Sequence, residues 1–436
     1  MVTRHDASDD QIIRQLTADD LDALTTIVAG AYPSVRLTTD AARQAFRERV
    51  LAQDADPTID FYGLFRGGVA FGTMRLHDFT MTVRGAHLPT GGVAFIAVDL
   101  AHKKEHVARD LVAHFLRLYR QRGAPLAALY PFRPDFYRAM GFGYGTQVNL
   151  YRVRPNALPD SDARHRVRLA LAADVPQLAE CYDRYAARTH GMMAQSDLDR
   201  GRYLANPEQR VACYEEDGAI RGYAAFRLTL TDDANFLLQD LDVRELVYEA
   251  PAALAGLLAF LRTQADQVRR VLFATQDETF HHVLSDPRNG TDHLLPVVNH
   301  ETNTQGVGLM YRVLDVPGCF AALGDARADA PAGAPPFGDQ TLTVTITTRD
   351  TFLPENAGSV AVRFEHGYPR VLAGRTEPAD AAITLDVADL SSLLMGCVTL
   401  RSLHDYGLAT VSDLSTLDAL TRLFQVERKP ICMTQF

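Results

Sequence analysis

The chain has 436 residues, a length that at roughly 150 residues per domain divides into about three folding units. With 47% hydrophobic and 22% charged residues it has the balance of a globular chain, which excludes disorder as its main state. A formal charge of -10 repels phosphate over most of the surface and argues against general nucleic-acid binding.

The opening MVTRHDASDDQ has no apolar core behind a basic patch, so no secretory signal is expected and the cytoplasm is the expected location. The longest apolar run, Ala252 to Leu261, is about half the roughly 20 residues that cross a bilayer, so no membrane span is expected. After a short strand at Ile12, Thr17 reads as an N-cap before a helix with acidic residues in its first turn. Phe61 to Phe65 and Val69 to Leu76 read as a hairpin turning at Arg66-Gly67-Gly68. Gly92 to Val98 is apolar throughout, the pattern of a central strand covered on both faces. Val107, Leu111, Phe115, Leu118 and Tyr119 then recur at helical spacing. Pro125 to Tyr130 gives a further strand, Pro134 to Met140 a short helix, and Gly141-Phe-Gly-Tyr-Gly145 a tight connection into a strand ending at Val153.

A first α/β unit therefore spans 1–155. The next stretch repeats its order: strand Val167 to Leu171, helix Asp174 to Arg188, a hairpin at Glu216-Asp-Gly218, strand Val243 to Tyr248, helix Pro251 to Val268 and strand Val271 to Thr275. This reads as a duplicated fold over 156–317. A linker rich in Ala, Pro and Gly, Ala328 to Gly338, leads into an α+β unit over 318–436, with strands at Thr341 to Thr347, Ser359 to Phe364 and Ala382 to Val387, then helices at Ala388 to Met395 and Leu414 to Gln425. The tail Ile431-Cys-Met-Thr-Gln-Phe436 is apolar enough to be expected tucked in.

The five cysteines are scattered without a Cys-x-x-Cys pair, which argues against a disulfide framework or structural zinc. His281, His282, His293 and His300, with Asp286 and Asp292, lack the usual zinc spacings, so no metal is expected. Gly-x-Ser-x-Gly, Walker, His-Glu-x-x-His and Rossmann signatures are missing, which removes the main support for hydrolase, NTPase or dehydrogenase readings. Of the 44 basic residues only three are lysine, Lys103, Lys104 and Lys429. Two of them sit together in the turn between the Gly92–Val98 strand and the next helix. Backbone N–H groups at a helix N-terminus beside two ammonium groups make a cradle for a pyrophosphate. A second constellation is Phe136-Tyr137-Arg-Ala-Met-Gly141-Phe142, a tyrosine on a short helix followed by a glycine that turns the chain back.

Together, AVDLAHKKEHVARDL and LYPFRPDFYRAMGFGYG resemble the GNAT acetyltransferase superfamily, and within it the Eis subfamily of bacterial N-acetyltransferases. The resemblance implies two tandem GNAT folds, mixed β-sheets flanked by helices, followed by a sterol-carrier-protein-like domain. It implies acetyl-CoA as cosubstrate: the backbone of Ile96 and Val98 pairs with the pantetheine arm, and Lys103, Lys104, His106 and Val107 surround the pyrophosphate. The family's turn carries Arg where Lys103 and Lys104 stand and Gly where His106 stands, so His106 either crowds the phosphate or hydrogen-bonds it. The second unit has no basic Gly turn and is expected to bind no CoA.

Acetyl transfer to a primary amine needs a polarised thioester and a proton for the departing thiolate. Tyr137 is the candidate acid, and a backbone N–H between Ile96 and Val98 the candidate donor to the thioester oxygen. The resemblance implies that the carboxylate of Phe436 reaches into the first unit and helps deprotonate the amine. Tyr130 and Tyr144 read as packing residues. The implied acceptors are an aminoglycoside, a polyamine or a protein lysine, which call for an acidic cleft, and the implied assembly is a hexamer. Two alternatives stand beside this: a catalytically weak acyl-CoA-binding protein with a regulatory role, and a lipid carrier whose third domain encloses an apolar tunnel.

Overall fold

Residues 11–232, 235, 238–291, 293–325, 335–372 and 378–436 are described in the computed structural model; the opening segment to Asp10, Asp292, and Ala328 to Ala334 of the expected linker lie outside the described residues. The first unit contributes strands β1 (Gln11–Gln15), β2 (Ile59–Arg66), β3 (Val69–Val83), β4 (Ala86–Val98), β5 (Leu126–Leu129), β6 (Gly143–Tyr144) and β7 (Val148–Val153). Its main helices are α1 (Leu21–Ala31), α2 (Asp40–Asp54), α3 (Val107–Gln121) and α4 (Pro134–Arg138). The β2–β3 hairpin turns where expected, with Arg66 opposite Val69 and both Gly67 and Gly68 at positive φ.

β3 and β4 are longer than the sequence reading gave, because they form one extended hairpin turning at Arg84 (φ 50°) and Gly85 (φ 83°). The polar residues His77, Asp78, Thr80, Thr82 and His87 hide this hairpin from a reading based on apolar runs. α3 lays Val107, Leu111, Val112 and Phe115 on Leu64, Met74 and Leu76, each buried side chain contributing about 2 kcal/mol. α1 covers the opposite face, packing Leu24, Ile27 and Val28 with Phe61 and Phe65. β4 is therefore central and covered on both faces.

The linear division at residues 155 and 317 does not follow the sheets. The first sheet runs β1-β2-β3-β4-β5, then Met310–Val313, then β6. Met310 pairs with Leu129 on one side and Tyr144 on the other, so a strand from the end of the second unit sits inside the first sheet. β7 in turn leaves the first unit and pairs with Arg270–Thr275 in the second sheet, whose remaining strands are Val167–Leu169, Gln209–Glu216, Ala219–Leu230, Gln239–Tyr248 and Asn303–Gly306. The two units exchange strands and are locked as a pair.

In the third unit, Leu342–Arg349 lies between Gly358–Glu365 and Ala381–Asp386, with Val387–Leu394 and Leu417–Phe424 among its helices. A lipid carrier needs a continuous apolar tunnel here. Among the described residues the centre is instead filled by rings: Phe337 lies 5.1 Å from Phe364 and 5.7 Å from Phe424, centroid to centroid. Arg84 is driven into this packing from the tip of the β3–β4 hairpin. Its guanidinium stands 4.5 Å from the Phe337 ring and donates to the carbonyls of Leu394 and Pro336 at 2.7 and 2.9 Å. Among the described residues, no helix is long and apolar enough to cross a membrane.

Candidate active site

β4 pairs in parallel with β5 only over Thr90 to Gly92, opposite Leu126 to Ala128, and then runs on to Val98 without it. The cause is a β-bulge. Thr73 lies opposite Ala97 and Arg75 opposite Ala94, so two residues of β3 span three of β4, and Phe95 takes up the extra length at φ 48°. Beyond the bulge the Asp99 N–H donates to the Phe71 carbonyl at 2.9 Å. With a period of two, the backbone groups of Val98 and Ile96 turn the other way, toward the open edge. There the Ile96 carbonyl accepts from the Tyr32 hydroxyl at 3.0 Å.

From Val98 the chain passes through a turn at Leu100–His102 into α3, with Asp99 accepting from the Ala101 N–H at 2.8 Å. Lys104 and His106 both lie in the left-handed region, at φ 68° and 65°. His106 thus adopts the conformation that the glycine expected at this position would adopt without strain. Lys103, Lys104 and His106 are exposed around the α3 N-terminus, whereas Val107 is buried beneath it. A Cβ at Gly72 would meet Val107 at 2.6 Å, so glycine there lets the helix sit down on β3. Glu105 lies in the same turn, and its charge is answered by Arg66 at 2.8 Å and His102 at 3.2 Å. An unpaired strand edge, a helix N-terminus and two exposed lysines fit an extended arm ending in a diphosphate.

Tyr137 is buried on α4 between Phe136 and Phe142. Burial, reinforced by the nearby Tyr32, pushes its phenol up from the ordinary value, so it holds its proton at neutral pH. Tyr32 therefore touches both features, the open edge through Ile96 and the environment of Tyr137.

Phe436 reaches the first unit. Its ring lies 4.8 Å from Phe79, 5.6 Å from His77 and 5.4 Å from Tyr130. The tail behind it is pinned at several points. The Ile431 N–H donates to the His190 carbonyl at 2.8 Å, the Cys432 N–H to Gln276 Oε1 at 2.6 Å, and the Tyr130 hydroxyl to the Thr434 carbonyl at 2.9 Å. Tyr130, read as a packing residue, is thus also a hydrogen-bonding anchor for the tail.

Phe436 meets the rings of His77, Phe79 and Tyr130, and the carboxylates of Asp199 and Glu245 act on Arg75 and Tyr182 in the same region. His77, Phe79 and Arg75 project from the same face of β3, since side chains alternate along a strand. Arg75 donates to His77 Nε2 at 2.9 Å and to Gln53 Oε1 at 3.1 Å, with its guanidinium 4.7 Å from the Phe95 ring. Burial, with the Arg75 charge, lowers the His77 pKa to about 3, so the imidazole is neutral and accepts at Nε2. The Asp199 carboxylate acts on Arg75 at longer range. Tyr32, Arg75 and His77 were not singled out from sequence. The available signal was polar residues at every second position of a strand whose intervening residues, Met74 and Leu76, belong to the core.

Among the described residues the His281 and His282 rings lie 4.2 Å apart, and His293 faces Glu301 at 3.5 Å.

Family models described as acetyltransferase (GNAT) domains match residues 12–145 and 185–313, and one described as a sterol carrier protein domain matches 331–433. A Streptomyces griseus protein named "Uncharacterized N-acetyltransferase" is 25% identical over 400 residues, 86% of this chain and 88% of that one. N-acetyltransferase Eis of Mycobacterium tuberculosis is 26% identical over 274 residues, 60% of this chain and 64% of its own. Among solved structures, a GCN5-related N-acetyltransferase from Kribbella flavida superposes with a TM-score of 0.76 at 21% identity, covering 99% of this chain and 100% of that one. Eis1 from Mycobacterium abscessus does so with a TM-score of 0.73 at 22% identity, covering 98% and 100%. With two GNAT acetyltransferase domains followed by a sterol carrier protein domain, the chain is an acetyltransferase and belongs to the GNAT superfamily, with Eis N-acetyltransferases among the proteins it is similar to.

Proposed function

We propose that the protein passes the acetyl group of acetyl-CoA directly to a primary amine within a ternary complex, at the first acetyltransferase domain. The observation that carries this reading is the divergence of β4 from β5 beside a buried, protonated Tyr137. Ile96 and Val98 hold the pantetheine arm along the open edge, and Lys103, Lys104, His106 and Val107 surround the diphosphate at the α3 N-terminus. The second domain has Tyr248 running through Glu249 and Ala250 straight into the helix Pro251–Arg262, without a basic turn, and we assign it no CoA.

When bound, acetyl-CoA supplies the activated acyl group. The Val98 N–H on the open edge donates to the thioester oxygen as it gains negative charge. As the nitrogen–carbon bond forms, the Phe436 carboxylate takes the proton that the amine sheds. As the carbon–sulfur bond breaks, Tyr137 gives its phenolic proton to sulfur. One proton moved through solvent from Phe436 to Tyr137 restores both groups, and the products are the amide and the free thiol.

The test is thiol release from acetyl-CoA across a panel of amines, together with Tyr137→Phe. Removing a general acid costs about a hundredfold or more in turnover. The variant is expected to lose that much kcat while binding acetyl-CoA with unchanged Kd in calorimetry. Unchanged turnover would remove Tyr137 as the acid. Failure of the protein to bind acetyl-CoA at all would remove the enzymatic reading.

A further inference from the structure

We propose that the acceptor amine carries its own carboxylate, seated on Arg75, with an apolar or aromatic body seated among the surrounding rings: an aromatic α-amino acid or a close analogue. This rests on the acetyl transfer proposed above and names its substrate class.

The argument begins with a comparison of buried arginines. Arg312 has a carboxylate, with Asp350 at 2.9 Å. Arg84 has a ring of backbone carbonyls. Arg75, only 8% exposed, has neither. Its two hydrogen bonds run from Nε to a neutral imidazole and from Nη1 to a neutral amide. Among the described residues no carboxylate lies within ion-pair distance of it. Asp199, whose field reaches Arg75, is engaged by Arg202 at 3.0 Å and Ser196 at 3.2 Å. Burying a cation without an anionic partner is costly, and a ligand carboxylate gives the guanidinium its charge-assisted partner.

The position specifies the ligand further. Arg75 stands opposite Ala94, next to the bulge at Phe95, with Ile96 of the open edge two residues from Ala94 along β4. A carboxylate on Arg75 is therefore close to the place where the amine must meet the thioester, which suits the short amine-to-carboxylate spacing of an α-amino acid. The Phe95 ring and the His77 imidazole flank the guanidinium, and Tyr32, 5.6 Å from Phe95, and Phe436, 5.6 Å from His77, extend this set of rings outward. A polycation would bring its charge against Arg75.

The experiment compares L-phenylalanine with phenethylamine, which has the same body without the carboxylate, and with kanamycin as a polycation, in the thiol-release assay on the full chain. Phenylalanine is expected to exceed phenethylamine by about tenfold or more in kcat/KM. Arg75→Gln is expected to erase that difference, chiefly through KM, and to leave the acetyl-CoA Kd unchanged. Calorimetric binding of N-acetylphenylalanine, weakened in Arg75→Gln and partly kept in Arg75→Lys, reads the same seat without turnover. Phenethylamine or kanamycin matching phenylalanine overturns the inference and leaves acetyl transfer standing. So does an equal loss of turnover for every amine in Arg75→Gln, which would mean that Arg75 serves the carboxylate of Phe436. Absence of thiol release with every amine, despite bound acetyl-CoA, overturns the transfer reading and this inference with it.

Discussion

The hydroxyl of Tyr130 donates to the carbonyl of Thr434 at 2.9 Å, joining positions 304 residues apart in the chain. The bond fixes the tail two residues before Phe436, whose ring rests on the same tyrosine. Tyr130→Phe keeps the ring contact and deletes the hydrogen bond, at a cost of about 1 kcal/mol. If the Phe436 carboxylate takes the amine proton, looser positioning of the tail should cut kcat roughly fivefold, the kinetic equivalent of that energy. The acetyl-CoA Kd, measured by calorimetry, should not change, because the lost bond is one to the tail and the ring of Tyr130 is kept. A kcat equal to that of the unaltered protein would show that the tail is held without this bond.

His106 occupies a left-handed backbone at the N-terminus of α3, and its side chain makes no capping hydrogen bond there. His106→Gly removes a side chain at the point where a diphosphate would approach the N–H groups of the helix. The expected result is tighter acetyl-CoA binding by about two- to fivefold, corresponding to roughly 0.5–1 kcal/mol of relieved crowding. Isothermal titration decides between the two roles open to the imidazole, since weaker binding would make His106 a phosphate ligand.

Much of this site was legible because local chemistry marks it. The lysine pair in an arginine-rich chain, the continuous apolar strand ahead of it and the Tyr137–Gly141 spacing are all short-range features. The rest depends on contacts between distant parts of the chain. β7 read correctly as a strand, whereas Met310–Val313 was not read from the sequence as one; nothing in six or four residues says which sheet they join, and each joined the other unit's. Arg84 looks like a hairpin-tip residue until the third unit wraps carbonyls around it. Arg75 and His77 are ordinary polar residues in a strand. Only the bulge in β4 and the arrival of Phe436 bring their face into the candidate site.

His190 offers a test at acid pH. It is half-buried where the first and third units meet, its Nε2 donating to the Met395 carbonyl at 2.9 Å and its Nδ1 accepting from the Arg84 N–H at 3.2 Å. Burial, aided by the Arg84 charge, lowers its pKa from 6.5 to about 4. The unfolded chain therefore takes up a proton below pH 6.5 that the folded chain refuses until about pH 4. Stability is held above pH 6.5 and lost as the pH falls through that window, by roughly 3 kcal/mol for a shift of this size. Urea midpoints measured from pH 7 to pH 4 should fall less steeply in His190→Gln than in the unaltered protein. Parallel curves would show that His190 is not the titrating group.

The exchanged strand Met310–Val313 is tied to the third unit by a buried ion pair, and this predicts how the units come apart. Arg312 and Asp350 have side chains 0% and 1% exposed and meet through both carboxylate oxygens at 2.9 Å. Asp350 also accepts from the Leu353 N–H at 2.8 Å and from Asn356 Nδ2 at 3.2 Å, while Arg312 donates to the Met140 carbonyl at 2.8 Å. Removing the carboxylate leaves a guanidinium buried without its counter-charge, a change that costs about 3–5 kcal/mol. Asp350→Ala should therefore lower the urea midpoint strongly. Because Arg312 belongs to the first sheet and Asp350 to the third unit, the loss should show as earlier separation of that unit, read as faster proteolysis at the boundary after residue 313. Replacing both partners by apolar residues of similar volume, Arg312→Met with Asp350→Leu, should restore much of the midpoint, since the penalty comes from the stranded charge. A double variant as unstable as Asp350→Ala would instead place the stabilisation in the hydrogen bonds to Leu353, Asn356 and Met140.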